Sequence, residues 1–194
     1  MMFSAKGLDI TQEMIDEFLK LHDEKGPKPF LLTAFPCDTS IRCELTDTVE
    51  KYLGSTFDGF YNLLDGTHNS YGPHVDSTEG LPDVLCRLNI LLCGHPGRIQ
   101  YYTDECRPLL SSYPDEYFEK SDWYFDNNRA SMWDFADPEL VPSHVYDVDY
   151  PAFIKTDKIH AVVHDPKHKG QRRIVLSVPI ISSTYEDVKE EFDV

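Results

Sequence analysis

Residues 84–103 read VLCRLNILLCGHPGRIQYYT. Val84–Cys93 is a largely apolar run that stops at Gly94-His95-Pro96-Gly97, and Ile99–Thr103 then resumes with residues that favour strands. Two glycines and a proline within four positions break a helix and favour a reversal, so the stretch predicts two strands joined by a turn. Downstream, short runs with the same character follow at Ser131–Phe135, His144–Val148, Ala152–Lys155, Ile159–His164 and Arg172–Ser182. Upstream, Thr11–His22 (TQEMIDEFLKLH) places Met14, Ile15, Phe18, Leu19 and Leu21 mostly on one helical face. Thr11 is its expected N-cap, with Gly26 and Pro27 as its stop. A second helix is expected over Thr46–Leu53, after an apolar segment at Phe30–Phe35, and a third around Asp115–Lys120. The acidic end, TYEDVKEEFDV, reads as a short surface helix or frayed tail. Strands that are not separated by helices exclude a parallel βαβ fold. The expectation is a mainly β (α+β) chain, a sandwich or barrel with helices at the front.

The chain has 194 residues, enough for one well-filled domain and rarely for two, and shows no repeat or linker. Acidic residues outnumber basic ones 34 to 18, for a net charge of −16. Such a surface repels phosphate backbones and anionic bilayers, so nucleic-acid and membrane partners are disfavoured. No apolar run approaches the roughly 18–20 residues of a membrane helix, and the opening MMFSAKGLDITQEM lacks a signal-peptide core. An intracellular, cytoplasmic location is expected. The cysteines Cys37, Cys43, Cys86, Cys93 and Cys106 are odd in number and lack CxxC spacing. They read as buried thiols, not as disulfides or a zinc site.

Two histidines stand in contexts with chemical content. In SYGPHVDSTEG, alternation on an extended chain turns His74 and Asp76 to the same side. His160, in PAFIKTDKIHAVVHD, lies on a strand far along the chain. Two imidazoles and a carboxylate on one side of an ion leave its other positions open, which suits non-haem Fe(II) chemistry with O2. In the next strand Ile174, Leu176, Val178 and Ile180 make one apolar face, and Arg173, Val175 and Ser177 the other. An inward arginine and serine are costly unless they bind an anion. A dicarboxylate fits, with the guanidinium gripping one end bidentately and the hydroxyl adding a bond. A slip of one residue would exchange Arg173 for Arg172; the pattern favours Arg173.

In these residues the chain resembles the 2-oxoglutarate- and Fe(II)-dependent oxygenases. That family carries an HxD pair, a distal histidine and, ten to fifteen residues on, an arginine or lysine often followed by serine or threonine. Here the matching residues are His74 and Asp76, then His160, then Arg173 with Ser177. The middle strand, Cys86 to Leu92, looks like the R-x-H strand of the aspartyl/asparaginyl hydroxylase-like members, with Arg87 in place and Asn89 where histidine is expected. The resemblance covers about residues 71–180. It implies a double-stranded β-helix, or jelly roll, over about 57–182, with helical support at 1–56 and an acidic tail at 183–194, all in one domain. It further implies Fe(II) on His74, Asp76 and His160, and 2-oxoglutarate bound by Arg173, with Ser177, Arg87 and Asn89 as further contacts. Hydroxylation of a small molecule, amino acid or peptide with O2 is the implied activity.

Each residue also has a plainer reading. His74 and Asp76 make a polar pair at a turn, His160 a hydrogen-bonded core histidine, and Arg87 half of a structural ion pair. His22, His95, His164 and His168 read as solvated, and His144 lies on a strand near the site. One of Tyr101 and Tyr102 faces the pocket and the other the core. Trp123 and Trp133 are core or rim residues, within a stretch that could wall the substrate; specificity is expected in loops such as Glu105–Ala130. Two further functions compete: a cupin-type metal enzyme that works without an oxo acid, and a non-catalytic binding module on the same barrel.

Overall fold

Alternate residues of two long strands sort into two environments, and this sorting sets the layers. In β4 (Val84–Cys93), Cys86, Leu88, Ile90 and Leu92 are buried in one apolar cluster; in β9 (Arg173–Ile181), Ile174, Leu176 and Val178 join them. The residues between them, Arg87 and Asn89 on β4 and Arg173 and Ser177 on β9, take the opposite face. Register agrees, since Asn89 opposes Ser177 and Leu88 opposes Val178. The computed structural model describes residues 1–24, 41–54, 62–66, 71–74, 84–103, 141–163, 165–168, 171–181 and 183–192.

Two antiparallel sheets result. The five-stranded sheet is ordered β1-β7-β4-β9-β2, with β1 at Met2–Ser4, β7 at Ala152–Lys155 and β2 at Asn62–Gly66. The four-stranded sheet is ordered β3-β8-β5-β6, with β3 at Tyr71–His74, β8 at His160–Val163, β5 at Arg98–Tyr101 and β6 at His144–Asp147. The turn at Gly94–Gly97 therefore carries the chain from one sheet to the other. Between the sheets lies a second cluster, Ile99, Tyr101, Val148, Ala152 and Ile154, against which Met2, Tyr146 and Val162 pack.

Three helices cover the outer face of the five-stranded sheet. In α1 (Gln12–Glu24), the Thr11 hydroxyl accepts from the Met14 amide at 3.3 Å, and Phe18 is fully buried in the core, against which Met14, Ile15, Leu19 and Leu21 also pack. The second, α2 (Glu44–Leu53), starts two residues before the expected Thr46. Thr46 is its third residue and reaches back to the cap: its hydroxyl accepts from the Cys43 amide at 3.1 Å and donates to the Cys43 carbonyl at 2.8 Å. The third, α3 (Tyr185–Phe192), corrects the expectation of a surface helix or tail and of helices confined to the front. Its Tyr185 and Val188 are buried in the core, and Phe192 packs on Tyr52 and Phe153. The strand β1 was not expected either; three residues are too few to show alternation. The expected strand Ser131–Phe135, the helix around Asp115–Lys120, the stop at Gly26-Pro27 and the segment Phe30–Phe35 lie outside the described residues, as do Cys37, Cys106, Trp123 and Trp133. Cys43 and Cys86 are buried free thiols, and burial pushes the Cys86 thiol up to about 12, so it behaves as a small apolar group.

The inter-sheet turn needs glycine at Gly94. Its φ is +92°, and a Cβ there would stand 2.5 Å from the Arg172 carbonyl oxygen. A left-handed side chain and a backbone clash act together, so Gly94→Ala is expected to cost about 2–4 kcal/mol. Thermal melts should show a fall of at least several degrees. An unchanged midpoint would mean that β4 and β9 do not approach as described.

Lys155 fastens α3 to the sheet. Its buried ammonium donates to both Glu186 carboxylate oxygens, at 2.9 and 3.2 Å, and lies 5.1 Å from the Tyr185 ring centre. The Lys155 hydrogen bond holds the Glu186 carboxyl below its ordinary value of 4.5. A depressed carboxyl stabilises the fold above its unfolded value and loses that contribution as pH falls through the folded one. Melts between pH 3 and 6 should therefore show an acid-side loss that is smaller in Glu186→Gln; an identical profile in the variant would remove Glu186 from the account.

Candidate functional site

The two sheets present polar residues to the space between them. On the four-stranded sheet, backbone register opposes His74, the last residue of β3, to His160, the first of β8. Opposed residues of an antiparallel pair share a face, with Cβ atoms about 4.5–5.5 Å apart. His160 in turn opposes Tyr101, and Tyr101 opposes His144. One row across the sheet therefore reads His74, His160, Tyr101, His144. The Tyr101 hydroxyl donates across to the five-stranded sheet, where the carbonyls of Met1 and Lys155 lie within hydrogen-bond range. Tyr101 and His160, both buried, thus face inward. Asp76 lies outside the described residues.

His160 is 4% exposed, and its Nδ1 lies 2.9 Å from the Lys158 carbonyl oxygen. A carbonyl only accepts, so Nδ1 carries a proton in this contact. A backbone acceptor on one ring nitrogen is the usual partner of a metal-ligating histidine, and it equally satisfies a core histidine. His144 is exposed; its ring stacks on Tyr146 and its Nδ1 lies 3.2 Å from the Ser143 hydroxyl. Among the described residues no group of three or more His, Cys, Asp or Glu side chains gathers around a point.

On the facing sheet Arg173 is 6% exposed, whereas Arg172 is exposed and pairs with Asp23 at 2.8 Å. The inward arginine is therefore Arg173. Its Nε donates to the His95 carbonyl at 3.0 Å, and its Nη2 to the Pro96 carbonyl at 3.1 Å and the Tyr150 hydroxyl at 2.8 Å. Two of its five N–H groups thus hold the inter-sheet turn and a third holds Tyr150, and the two on Nη1 remain for a ligand. This corrects the expected bidentate grip, because the Nε–Nη2 edge is already engaged. Ser177 differs from expectation in a related way. Its hydroxyl donates to Asn89 Oδ1 at 2.6 Å, so its proton is spent within the protein. That bond turns the Asn89 amide nitrogen, a double donor, to the remaining side. Asn89 is 8% exposed and Arg87, two residues back on the same face, is half-buried.

Tyr150 is a site residue that sequence reasoning missed. Burial raises its hydroxyl above the ordinary value against the opposing pull of Arg173, so it stays protonated. It accepts from Arg173 Nη2 at 2.8 Å. Nothing in the periodicity of DVDYPAF marks it. Lys155 was missed as well, its strand reading only as apolar. Of the histidines expected to be solvated, His95 and His168 are half-buried and stack with ring centres 4.1 Å apart, and His22 is half-buried; His164 lies outside the described residues. Burial, then the neighbouring His168 and Arg173, lowers the His95 imidazole below its ordinary value. Tyr101 and Tyr102 are both buried.

No family model matches the chain, and no curated protein matches it. A solved structure, the crystal structure of AviO1 from Streptomyces viridochromogenes Tue57, is similar at 12% identity and a TM-score of 0.40, over 90% of this chain and 87% of that one. That likeness is too distant to name a family. No helix among the described residues is long and apolar enough to cross a membrane.

Proposed function

We propose that the chain is an Fe(II)- and 2-oxoglutarate-dependent dioxygenase, with the two facing sheets forming a jelly roll, that hydroxylates a small molecule, amino acid or peptide. The observation that carries this reading is the register that opposes His74 to His160 across from a sheet bearing the buried Arg173. Positions far apart in sequence then bring two histidines into one register, while Asp76, two residues past His74, is the carboxylate of the set. The donor types fit the metal: His160 has its Nδ1 proton on a carbonyl, the arrangement of a histidine that would ligate through Nε2. They also fit a dicarboxylate, since Arg173 Nη1, the Tyr150 hydroxyl and the Asn89 amide are donors on one sheet face.

When bound, Fe(II) with 2-oxoglutarate and O2 supplies C–H oxidation, releasing succinate and CO2 alongside the hydroxylated product. The protein's own part is to hold and orient. Arg173 fixes the turn and the far carboxylate together, Ser177 orients Asn89, and the apolar residues between the sheets keep water from the site. Full engagement of the Arg173 Nε–Nη2 edge by the turn favours a second reading, a cupin-type metal enzyme in which Arg173 is purely structural.

Anaerobic titration with Fe(II) and 2-oxoglutarate tests the proposal. A weak visible charge-transfer band that saturates at one equivalent, followed by succinate release on admitting air, is the expected result. No band and no succinate would overturn it.

A further inference from the structure

We propose that the stacked imidazoles of His95 and His168 are an acid-released latch on the inter-sheet turn, which decides whether the Arg173 guanidinium is clamped by that turn or freed from it. His95 lies in the turn from β4 to β5, and His168 ends the short helical turn Pro166–His168 in the connection from β8 to β9. Both connections pass between the sheets, in opposite directions. The two rings meet with centres 4.1 Å apart and planes within 15° of parallel, which is face-to-face contact. Each side of the contact is braced. His168 Nδ1 lies 2.9 Å from Gln171 Oε1, and the His168 amide donates to the Asp165 carbonyl at 2.9 Å. On the other side, the His95 carbonyl accepts from Arg173 Nε at 3.0 Å and the Pro96 carbonyl from Nη2 at 3.1 Å. The ring that stacks and a carbonyl that clamps thus belong to one residue.

Protonation acts on the stack through charge. Two neutral rings stack, and so do a neutral ring and an imidazolium, whereas two imidazolium rings at contact distance repel. Among the described residues, the charged and titratable groups facing His95 are His168, Arg173, Lys167 and Asp165. Arg173 and Lys167 add to the repulsion. Asp165 opposes it, but its carboxylate is taken up by Lys167, whose ammonium lies 3.0 Å away and whose amide donates at 3.0 Å. Burial, then His168 and Arg173, therefore hold the His95 imidazole below its ordinary value of 6.5. A ring whose value is lowered in the closed corner stabilises that corner above 6.5, and the contribution is lost as pH falls through the lower value. In acid the second proton separates the rings, and the His95 carbonyl leaves Arg173 with its ring. The Nε–Nη2 edge, engaged by the turn at neutral pH, then becomes free for an anion. Arg173 is held in this way whatever the site binds, so the latch does not depend on the dioxygenase reading.

The test follows the full chain by NMR, without metal or 2-oxoglutarate, between about pH 7.5 and 4.5. Two signals report the latch: the nuclear Overhauser contact between the two histidine rings, and the protection of the Arg173 Nε–H from exchange relative to its intrinsic rate. Acidification should abolish the first and lower the second at least about tenfold, since one linked proton shifts an equilibrium by up to tenfold per pH unit. His95→Phe and His168→Phe each keep an aromatic face and remove one titrating ring, so protection in each should change by less than about twofold over that range. Glu186 and the remaining histidines still titrate in both variants, which therefore subtract any contribution of theirs. Ring contact and protection that persist in the wild type throughout the range overturn the proposal. So does a loss of protection in either variant equal to that of the wild type. Melts of both variants separate these results from misfolding, and no outcome depends on whether the chain binds 2-oxoglutarate.

Discussion

Arg173→Gln is expected to raise the dissociation constant for 2-oxoglutarate about a hundredfold while leaving metal affinity unchanged. The two Nη1 N–H groups are charge-assisted donors of about 1.5 kcal/mol or more each, and their loss amounts to about 3 kcal/mol, or two decades in affinity. The same change frees the His95 and Pro96 carbonyls and the Tyr150 hydroxyl, which Arg173 now satisfies. A drop in thermal stability should therefore accompany the loss, and comparing melts with titrations separates the two. Arg173→Lys keeps the charge without the planar fork, so it should recover part of the affinity and little of the turn. If 2-oxoglutarate binding, measured calorimetrically with a redox-inert metal in place, is unaffected by Arg173→Gln, the cupin-type reading stands instead.

His160→Ala is expected to weaken Fe(II) binding at least about a hundredfold. Removing a partner one bond beyond a metal ligand costs 10–100-fold, and removing the ligand costs no less. His144→Ala is the matched control. His144 lies in the same cross-strand row but two strands from His160, about 9–10 Å away, which places it outside a shared coordination sphere. Competition against a chromophoric chelator under nitrogen reads both variants. Equal metal affinity in His160→Ala and the wild type would leave His160 as a core histidine held by Lys158.

Much of the fold was legible because strand periodicity is local. The apolar alternation in residues 174–180 assigned the faces of β9 and so chose Arg173 over Arg172, and the glycines and proline at 94–97 marked the turn. What local pattern does not encode is which strands meet. The turn moves β5 into the other sheet instead of pairing it with β4, and only the assembled register aligns His74, His160, Tyr101 and His144. The docking of α3 was readable in part. Thr184-Tyr185-Glu186-Asp187 has capping-box spacing, and Asp187 and Thr184 exchange those bonds, with Thr184 N donating to Asp187 at 2.9 Å and Asp187 N to Thr184 at 3.1 Å. The burial of Tyr185 and Val188 was hidden by the charge around them. Side-chain commitments were the least legible part. The Ser177 hydroxyl and the Arg173 guanidinium were expected to face a ligand, yet the Ser177 proton and the Arg173 Nε–Nη2 edge satisfy neighbouring protein groups, because buried donors take whatever acceptor the assembled chain supplies.

Crystals grown anaerobically with Fe(II) and examined at the iron absorption edge test the central claim most directly. The account predicts a single anomalous peak between the sheets, bonded to His160 Nε2, His74 and a carboxylate oxygen of Asp76. A peak elsewhere, or the three side chains splayed beyond reach of one ion, would contradict it.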